Sequence, residues 1–268
     1  METRYVFVNE QIKLAYFEKY NKESSIGIIL VHGLAEHKGR YEDFIKKMYD
    51  MRISVFAIDI RGHGESDGRR GDIEDFNLYL SDLELFVKKI KHDYPNIKLA
   101  LLGHSLGGLI ASGYVERYSN VDFLVLSNPL LSAPEVAKVL NVIPYQFLNF
   151  IKIKKRHSES AEMLAYSYND PLASNFFTIR LLGVIFKQGI SLVVGNLSHI
   201  KTPVLLLGGM SDPLIQTNKF ERLLSEFGSA DRELKMYENV KHRLLQSNRK
   251  DDVMKDIAAW LQQHTMLS

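Results

Sequence analysis

Short runs of apolar residues, separated by longer segments with helical periodicity, are the feature that most limits how this chain can fold. The runs span residues 26–31, 53–58, 99–102, 123–126 and 204–207. The helical segments, with apolar side chains three and four positions apart, span residues 41–50, 73–92, 106–118, 218–227 and 250–263. Runs this short and this apolar are typical of parallel strands buried on both faces. Their alternation with helices predicts an α/β fold, with a mostly parallel, twisted sheet covered by helices on both faces.

Two further features complete the predicted sheet. Residues 5–8 and 12–17 alternate polar and apolar side chains around Asn9 and Glu10, which indicates an antiparallel hairpin. Residues 233–237 also resemble a strand. With the apolar runs, these segments predict a sheet of about eight strands.

One long segment interrupts the alternation. Residues 129–199 contain no clear strand and hold Pro129, Pro134, Pro144 and Pro171. The segment is too long for a simple loop and too apolar for a disordered linker. We therefore predict three parts: the first part of an α/β core at 1–128, an inserted helical cap at 129–199, and the second part of the core at 200–268.

The predicted cap begins with a dense apolar stretch and continues into basic residues. The apolar members are Val136, Val139, Leu140, Val142, Ile143, Phe147, Leu148, Phe150, Ile151 and Ile153. The basic members are Lys152, Lys154, Lys155 and Arg156. A mobile cap that shields a reaction from water needs an apolar inner face, and apolar residues flanked by cations also suit an anionic membrane surface. A packed helical subdomain with a solvated basic rim is the plainer alternative.

The sharpest local motif is the G-x-S-x-G formed by residues 103–107. It lies where a buried strand meets a helix, so Ser105 falls on the tight turn that a nucleophile elbow requires. A serine nucleophile needs a general base, and the base needs an acid that orients it. A glycine-rich turn capped by a serine would be the structural alternative.

Asp212 and His242 are the candidate acid and base. Asp212 follows the run at 204–207, and His242 follows the strand-like residues 233–237. Both therefore lie at the carboxyl edge of the sheet, in the chain order Ser, Asp, His. Asp231 is the rival acid, but it precedes its strand and should lie at the opposite edge.

Two backbone amides are candidates for an oxyanion hole. The amide of Leu106 begins the helix after Ser105, where the helix N-terminus favours a negative charge. The amide of Leu34 lies in the loop after the run at 26–31, which should face Ser105.

Other motifs support no separate chemistry. Residues 61–66 lack the lysine spacing of a phosphate-binding loop. His32, His37 and His63 lack the spacing and the companion carboxylates of a metal site. We interpret these residues as braces for loops, and the sequence indicates neither a cofactor nor a metal.

Composition excludes several classes of protein. The absence of cysteine excludes a disulfide scaffold, a thiolate zinc site and a cysteine nucleophile. A net charge of +2 argues against a nucleic-acid partner. The first twenty residues do not resemble a signal peptide, and no apolar run reaches the length of a membrane span. We expect a cytoplasmic protein, at most peripheral to a membrane, and the sequence leaves its oligomeric state open.

Taken together, these motifs resemble those of the monoacylglycerol lipase and lysophospholipase group of α/β-hydrolases. The matching segments are HGLAEHKGRY at 32–41, DIRGHGES at 59–66, GHSLGG at 103–108, NDPL at 169–172 and the surroundings of Asp212 and His242. They span nearly the whole chain in the family's order, and H-G-x-x-E-H-x-x-R-Y is more specific than the serine motif. Leu106 stands where relatives often have methionine, but only its amide is needed. The cap matches least.

The resemblance implies a serine hydrolase with the α/β-hydrolase fold and a lipid ester substrate, most simply a monoacylglycerol. It assigns Ser105, Asp212 and His242 as the triad, and Leu34 and Leu106 as the oxyanion donors. A lysophospholipase, a carboxylesterase or a peptidase could use the same triad. Haloalkane dehalogenases and epoxide hydrolases need an aspartate where Ser105 stands. A binding protein on the same fold would not need the three residues in this order.

Overall fold

The computed structural model describes residues 1–133, 137, 140, 143–154 and 170–267. Its main sheet has eight strands in the order β1-β2-β4-β3-β5-β6-β9-β10. The strands are β1 (Arg4–Phe7), β2 (Lys13–Lys19), β3 (Ile26–Val31), β4 (Ser54–Ile58), β5 (Lys98–His104), β6 (Phe123–Ser127), β9 (Val204–Gly209) and β10 (Arg232–Tyr237). The strands from β4 to β10 in this order are parallel, and β2 runs antiparallel to both β1 and β4. This sheet confirms the predicted fold class.

The helices also follow the predicted order. They are α1 (Glu42–Asp50), α2 (Asn77–Asp93), α3 (Leu106–Tyr118), α4 (Ile179–Gly183), α5 (Ile190–Val194), α6 (Phe220–Glu226) and α7 (Lys250–Leu267). The helix predicted from residue 73 begins at Asn77 instead, because the Asp75 side chain accepts a hydrogen bond from the Asn77 amide at 2.7 Å and turns the chain there. The last helix continues beyond the predicted residue 263.

Helices cover both faces of the sheet, and each face has its own core. Ile29 and Val31 of β3 face α2 and α3, whereas Ile28 and Leu30 face α1 and α7. Side chains of a strand alternate between faces, so a strand buried on both sides must be apolar throughout. This is why the apolar runs could be recognised in the sequence.

The segment between β6 and β9 leaves the sheet, since those two strands are direct neighbours. The expectation that it contains no strand is wrong. β7 (Lys152–Lys154) and β8 (Phe176–Thr178) pair antiparallel in a separate small sheet. Each is only three residues long, too short to produce a readable alternation of polar and apolar residues.

The second half of this segment is helical and anchored to the core. A π-helical turn, Val184–Gly189, joins α4 to α5. At the start of α4, the fully buried Asp72 accepts hydrogen bonds from Thr178 Oγ1 at 2.6 Å and from Arg180 Nε at 3.0 Å. The segment is therefore fixed to the loop that precedes α2.

Several residues of the predicted cap lie outside the part of the chain that the structure describes. These are Pro134, Val136, Val139, Val142, Lys155 and Arg156. Within the described ranges, no helix combines the length and the apolar character needed to cross a bilayer.

Candidate active site

Ser105 occupies a strained turn between β5 and α3. Its backbone has φ +53° and ψ −116°, a conformation that residues other than glycine rarely adopt. The Ser105 amide donates to the carbonyl of Ser127 at 3.1 Å, and the Ser105 carbonyl accepts from the Gly108 and Leu130 amides, both at 2.9 Å. Strain that its surroundings hold in place in this way is a feature of functional sites.

The glycines on either side of Ser105 are required by packing. A Cβ on Gly103 would collide with the backbone of Gly107, and a Cβ on Gly107 would collide with the carbonyl of Val31. Only glycine lets α3 start so close to β3 and β5. The same contact keeps the loop after β3 beside the serine.

Asp212 and His242 meet at the carboxyl edge of the sheet, where Ser105 also lies. His242 Nδ1 and Asp212 Oδ2 are 2.7 Å apart, and the side chain of Asp212 is fully buried. The other oxygen, Oδ1, accepts from the amides of Leu214 at 2.7 Å and Ile215 at 3.0 Å. Because an ionised carboxylate only accepts, the imidazole proton must lie on Nδ1, which leaves Nε2 free to take a proton.

The rival acid lies elsewhere. Asp231 pairs with His264 Nε2 at 2.9 Å and precedes β10, at the opposite edge of the sheet from His242. Its carboxylate therefore has a partner of its own outside the site.

Asn128, which no sequence motif marks as a site residue, is bonded to the backbone of His242. Its side-chain amide donates to the carbonyl of His242 at 2.8 Å, and its side-chain oxygen accepts from the Gly209 amide at 3.0 Å. Asn128 is fully buried and has φ +42°. It thus links the His242 loop to the end of β9, from which the Asp212 loop begins.

The loop after β3 lies against Ser105. A methyl group placed on Gly33 would be 3.2 Å from the Cβ of Ser105. The loop turns back at Ala35, which has φ +63°, and the Glu36 amide donates to the Gly33 carbonyl at 3.2 Å. Among the hydrogen bonds of the described residues, none is donated by the amides of Leu34 and Leu106. Both N–H groups are therefore available to an oxyanion.

Buried histidines surround the site in their neutral form. Burial lowers the pKa of His104 to about 4, and its ring centroid lies 4.8 Å from that of His242. Burial also lowers the pKa of His63 to about 3 and lowers that of His32. A neutral His104 ring beside His242 avoids the repulsion that a second imidazolium would exert on it.

His32 and His37 make hydrogen bonds that brace the loops around them. His32 Nδ1 donates to the Gly33 carbonyl at 2.8 Å, and its Nε2 accepts from the Ile60 amide at 3.2 Å. His37 Nε2 lies 2.8 Å from Asp170 Oδ2, which joins the loop after β3 to the inserted segment. These contacts agree with the interpretation of His32 and His37 as braces for loops.

A cleft opens beside the loop after β9, which carries Asp212. Its volume is about 410 Å³, and its lining includes Ser132, Met210, Asp212 and Leu214. A cavity of this volume is large enough for a small organic group. Among the described residues that line it, Asp212 is the one member of the Ser105, Asp212 and His242 set, so the cleft borders the site on the side of the acid.

Three features together define an α/β-hydrolase: the strand order of the sheet, the strained turn at Ser105, and the Asp212–His242 pair at the same sheet edge. The family described as Hydrolase_4: Serine aminopeptidase, S33 matches residues 23–249. The chain belongs to this family and is a carboxylic ester hydrolase.

Relatives of known name extend over most of the chain. Monoglyceride lipase of Homo sapiens is 33% identical over 251 residues, covering 89% of this chain and 82% of the relative. The Rattus norvegicus enzyme is 32% identical over 231 residues, covering 81% and 75%. Among solved structures, Paleococcus ferrophilus monoacylglycerol lipase superposes with a TM-score of 0.78 at 25% identity, covering 94% of this chain and 99% of that one.

Proposed function

We propose that this chain is a serine hydrolase that cleaves lipid esters, and that its main substrate is a monoacylglycerol, split into fatty acid and glycerol. The observation that carries the proposal is the strained Ser105 at the same sheet edge as the Asp212–His242 pair. The names of the mammalian relatives support the choice of substrate.

The proposed reaction begins with acylation of Ser105. Ser105 Oγ attacks the ester carbonyl carbon as His242 Nε2 takes the hydroxyl proton, which forms a tetrahedral oxyanion. Asp212 stabilises the resulting imidazolium through the Nδ1 hydrogen bond. The amides of Leu34 and Leu106 donate to the oxyanion, and losing one such donor costs about 10²–10³-fold in rate in a comparable enzyme.

Collapse of this intermediate breaks the ester C–O bond, and His242 returns its proton to the leaving alcohol. A water molecule then attacks the acyl carbon while His242 Nε2 takes one of its protons. The fatty acid leaves, and the proton returns to Ser105 Oγ. Among the described hydrogen bonds none joins Ser105 Oγ to His242, so this mechanism requires the contact to form as substrate binds.

The test compares Ser105→Ala with wild type on monoacylglycerols, lysophospholipids, short esters and an aminoacyl amide. We expect monoacylglycerol to give the highest kcat/KM in wild type, and Ser105→Ala to lose at least about 10⁴-fold. Ser112→Ala is the matched control, since this buried serine on α3 only donates to the Gly108 carbonyl at 2.8 Å. Near-normal activity of Ser105→Ala would exclude the proposed nucleophile, and a preference for lysophospholipid would replace the proposed substrate.

We also propose that residues 129–199 form a cap over the site and bring it to membrane-borne substrate. Four large apolar side chains are exposed around β7: Phe147, Phe150, Ile151 and Ile153. Lys152 lies among them, with its Nζ 4.3 Å from the centre of the Phe176 ring. Exposed aromatic and aliphatic residues beside a cation suit the boundary of an anionic lipid surface.

Vesicle sedimentation tests the membrane contact. Phe147→Ser/Phe150→Ser should reduce binding to phosphatidylglycerol vesicles at least about tenfold, because each phenylalanine that enters lipid contributes roughly 1.5–3 kcal/mol. Phe7→Ser, at an exposed phenylalanine of the edge strand β1, is the matched control. Equal binding of the double variant and the control would contradict this contact.

A further inference from the structure

A buried ion pair connects two loops of the site: the loop after β3 that carries Leu34, here called the oxyanion loop, and the loop after β10 that carries His242, here called the histidine loop. Glu36 comes two residues after Leu34, and Arg243 directly follows His242. Arg243 Nε lies 3.1 Å from Glu36 Oε1, and the side chains are 8% and 4% exposed. Burial this complete is rare for charged residues unless they are paired.

Glu36 is also fixed to its own loop. Its Oε2 accepts from the Tyr41 hydroxyl at 2.7 Å and from the Gly33 amide at 3.2 Å. Burial opposes the charge of this carboxylate, but the Arg243 guanidinium and the Tyr41 hydrogen bond hold the pKa of Glu36 well below its usual value. The carboxylate is therefore ionised at neutral pH and shared between the turn at Gly33 and the side chain of Arg243.

The sheet itself does not connect these two loops directly. The oxyanion loop follows β3 and the histidine loop follows β10, and β5, β6 and β9 lie between those strands. Small displacements at each of these three intervening strands would add up between the two loops. A direct side-chain contact between the loops sets their separation without that accumulation.

We propose that the Glu36–Arg243 pair is a brace that holds the Leu34 amide and the His242 imidazole at their working separation. Glu36 and Arg243 are thus positioning residues for ester hydrolysis. The inference rests on the proposed function of Ser105. Neither side chain is required to touch the substrate.

The brace should act on the transition state more than on substrate binding. The Leu34 amide and the His242 ring must both be in place when the tetrahedral oxyanion forms, and a misplacement of 1 Å can cost about 10²-fold. Disrupting the pair should therefore lower kcat by about 10–100-fold, with KM changed less than about twofold. Binding of a trifluoromethyl ketone, which forms a tetrahedral adduct with the serine, should weaken in parallel with kcat.

A double-mutant cycle provides the test. Glu36→Gln and Arg243→Met each remove one charge, and Glu36→Gln/Arg243→Met removes both. Hydrolysis of p-nitrophenyl butyrate is measured well below each variant's Tm, together with trifluoromethyl ketone affinity. If both residues act through their contact, the double variant should lose no more in kcat than the more damaging single variant.

Asp82→Asn is the matched control, because it disrupts another largely buried pair, between Asp82 and Arg61 of the loop after β4. It should lower Tm while leaving kcat and ketone affinity near wild type. If a single variant leaves a buried charge and fails to fold, the double variant still decides, since removing both charges is often tolerated.

Independent losses that multiply in the double variant would overturn the brace, as would a change confined to KM or an unchanged ketone affinity. A double variant with wild-type kcat would also overturn it. Failure of the proposed function is distinguishable, because it would appear as an inactive wild type or an active Ser105→Ala.

Discussion

At the scale of single residues, the site depends on buried polar side chains that lie beneath the reacting groups. Asn128 is the clearest case, since it bonds both the His242 carbonyl and the Gly209 amide. It holds the backbone of the His242 loop rather than the imidazole ring. Its effect on the reaction should therefore be indirect.

Asn128→Ala should lower kcat by about 10–100-fold with a small change in KM, because the histidine loop loses its link to β9. Steady-state kinetics on a soluble ester measures this. Asn120→Ala is the matched control, since Asn120 bonds Tyr114 and Glu84 away from the site. Equal kcat for the two variants would show that Asn128 does not position His242.

The buried neutral histidines make stability depend on pH. The pKa of His63 is lowered from 6.5 to about 3 by burial, so below pH 6.5 the unfolded chain binds a proton that the folded chain does not. The free energy of unfolding should therefore fall as the pH drops from 6.5 towards 3, by roughly 1.4 kcal/mol per pH unit for this group. Denaturant unfolding of His63→Gln should give a shallower slope than wild type between pH 6.5 and 4. His92→Gln, at an exposed histidine of α2, is the control variant. An unchanged slope in His63→Gln would contradict the assignment.

The sequence predicted where Ser105, Asp212 and His242 lie because each follows a recognisable strand. Asn128 and Arg243 could not be found in this way. Asn128 acts through contacts between β6, β9 and the loop that carries His242. The role proposed for Arg243 depends on its contact with Glu36, in the loop after β3. No local spacing in the sequence encodes such contacts. Glu36 belonged to a recognised motif, but its partner Arg243 did not.

At the scale of elements, the glycine turn explains why α3 was predicted with its correct limits. Gly103 and Gly107 fix its start against β5, and Ser119 ends it in a left-handed conformation with φ +47°. The strands β7 and β8 were missed because three-residue strands carry too little pattern. Prediction from sequence is therefore best where backbone sterics fix an element's end.

The start of α4 should depend on its buried ion pair. Asp72 is fully buried and bonds both Thr178 and Arg180. Arg180→Met would leave this carboxylate with Thr178 and with Arg69, whose Nη1 lies 3.4 Å away, and should cost about 1.5–3 kcal/mol. Hydrogen exchange should accelerate in residues 176–194 before it does so in β5 or α3. Arg52→Met, at a largely exposed arginine, should leave exchange unchanged. Uniform acceleration across the chain would contradict a local anchoring role.

At the scale of the whole molecule, the order of strands and helices was enough to predict the sheet and the edge at which the site lies. Parallel strands all end at one edge, so residues far apart in the sequence meet there. The strands and helices of the inserted segment were predicted less accurately than those of the sheet. Its packing depends on contacts with the core such as Asp170 with His37 and Asp72 with Arg180.

The central claim is that ester hydrolysis proceeds through Ser105, and labelling with a fluorophosphonate tests it most directly. The serine oxygen would displace fluoride and form a stable phosphonyl adduct. Intact-protein mass spectrometry and peptide mapping should show one adduct per chain, on the peptide that contains Ser105, appearing at the rate at which hydrolysis is lost. Labelling should be much slower in His242→Ala. Loss of hydrolysis without an adduct on Ser105, or an adduct on another residue that accounts for the lost activity, would contradict the account.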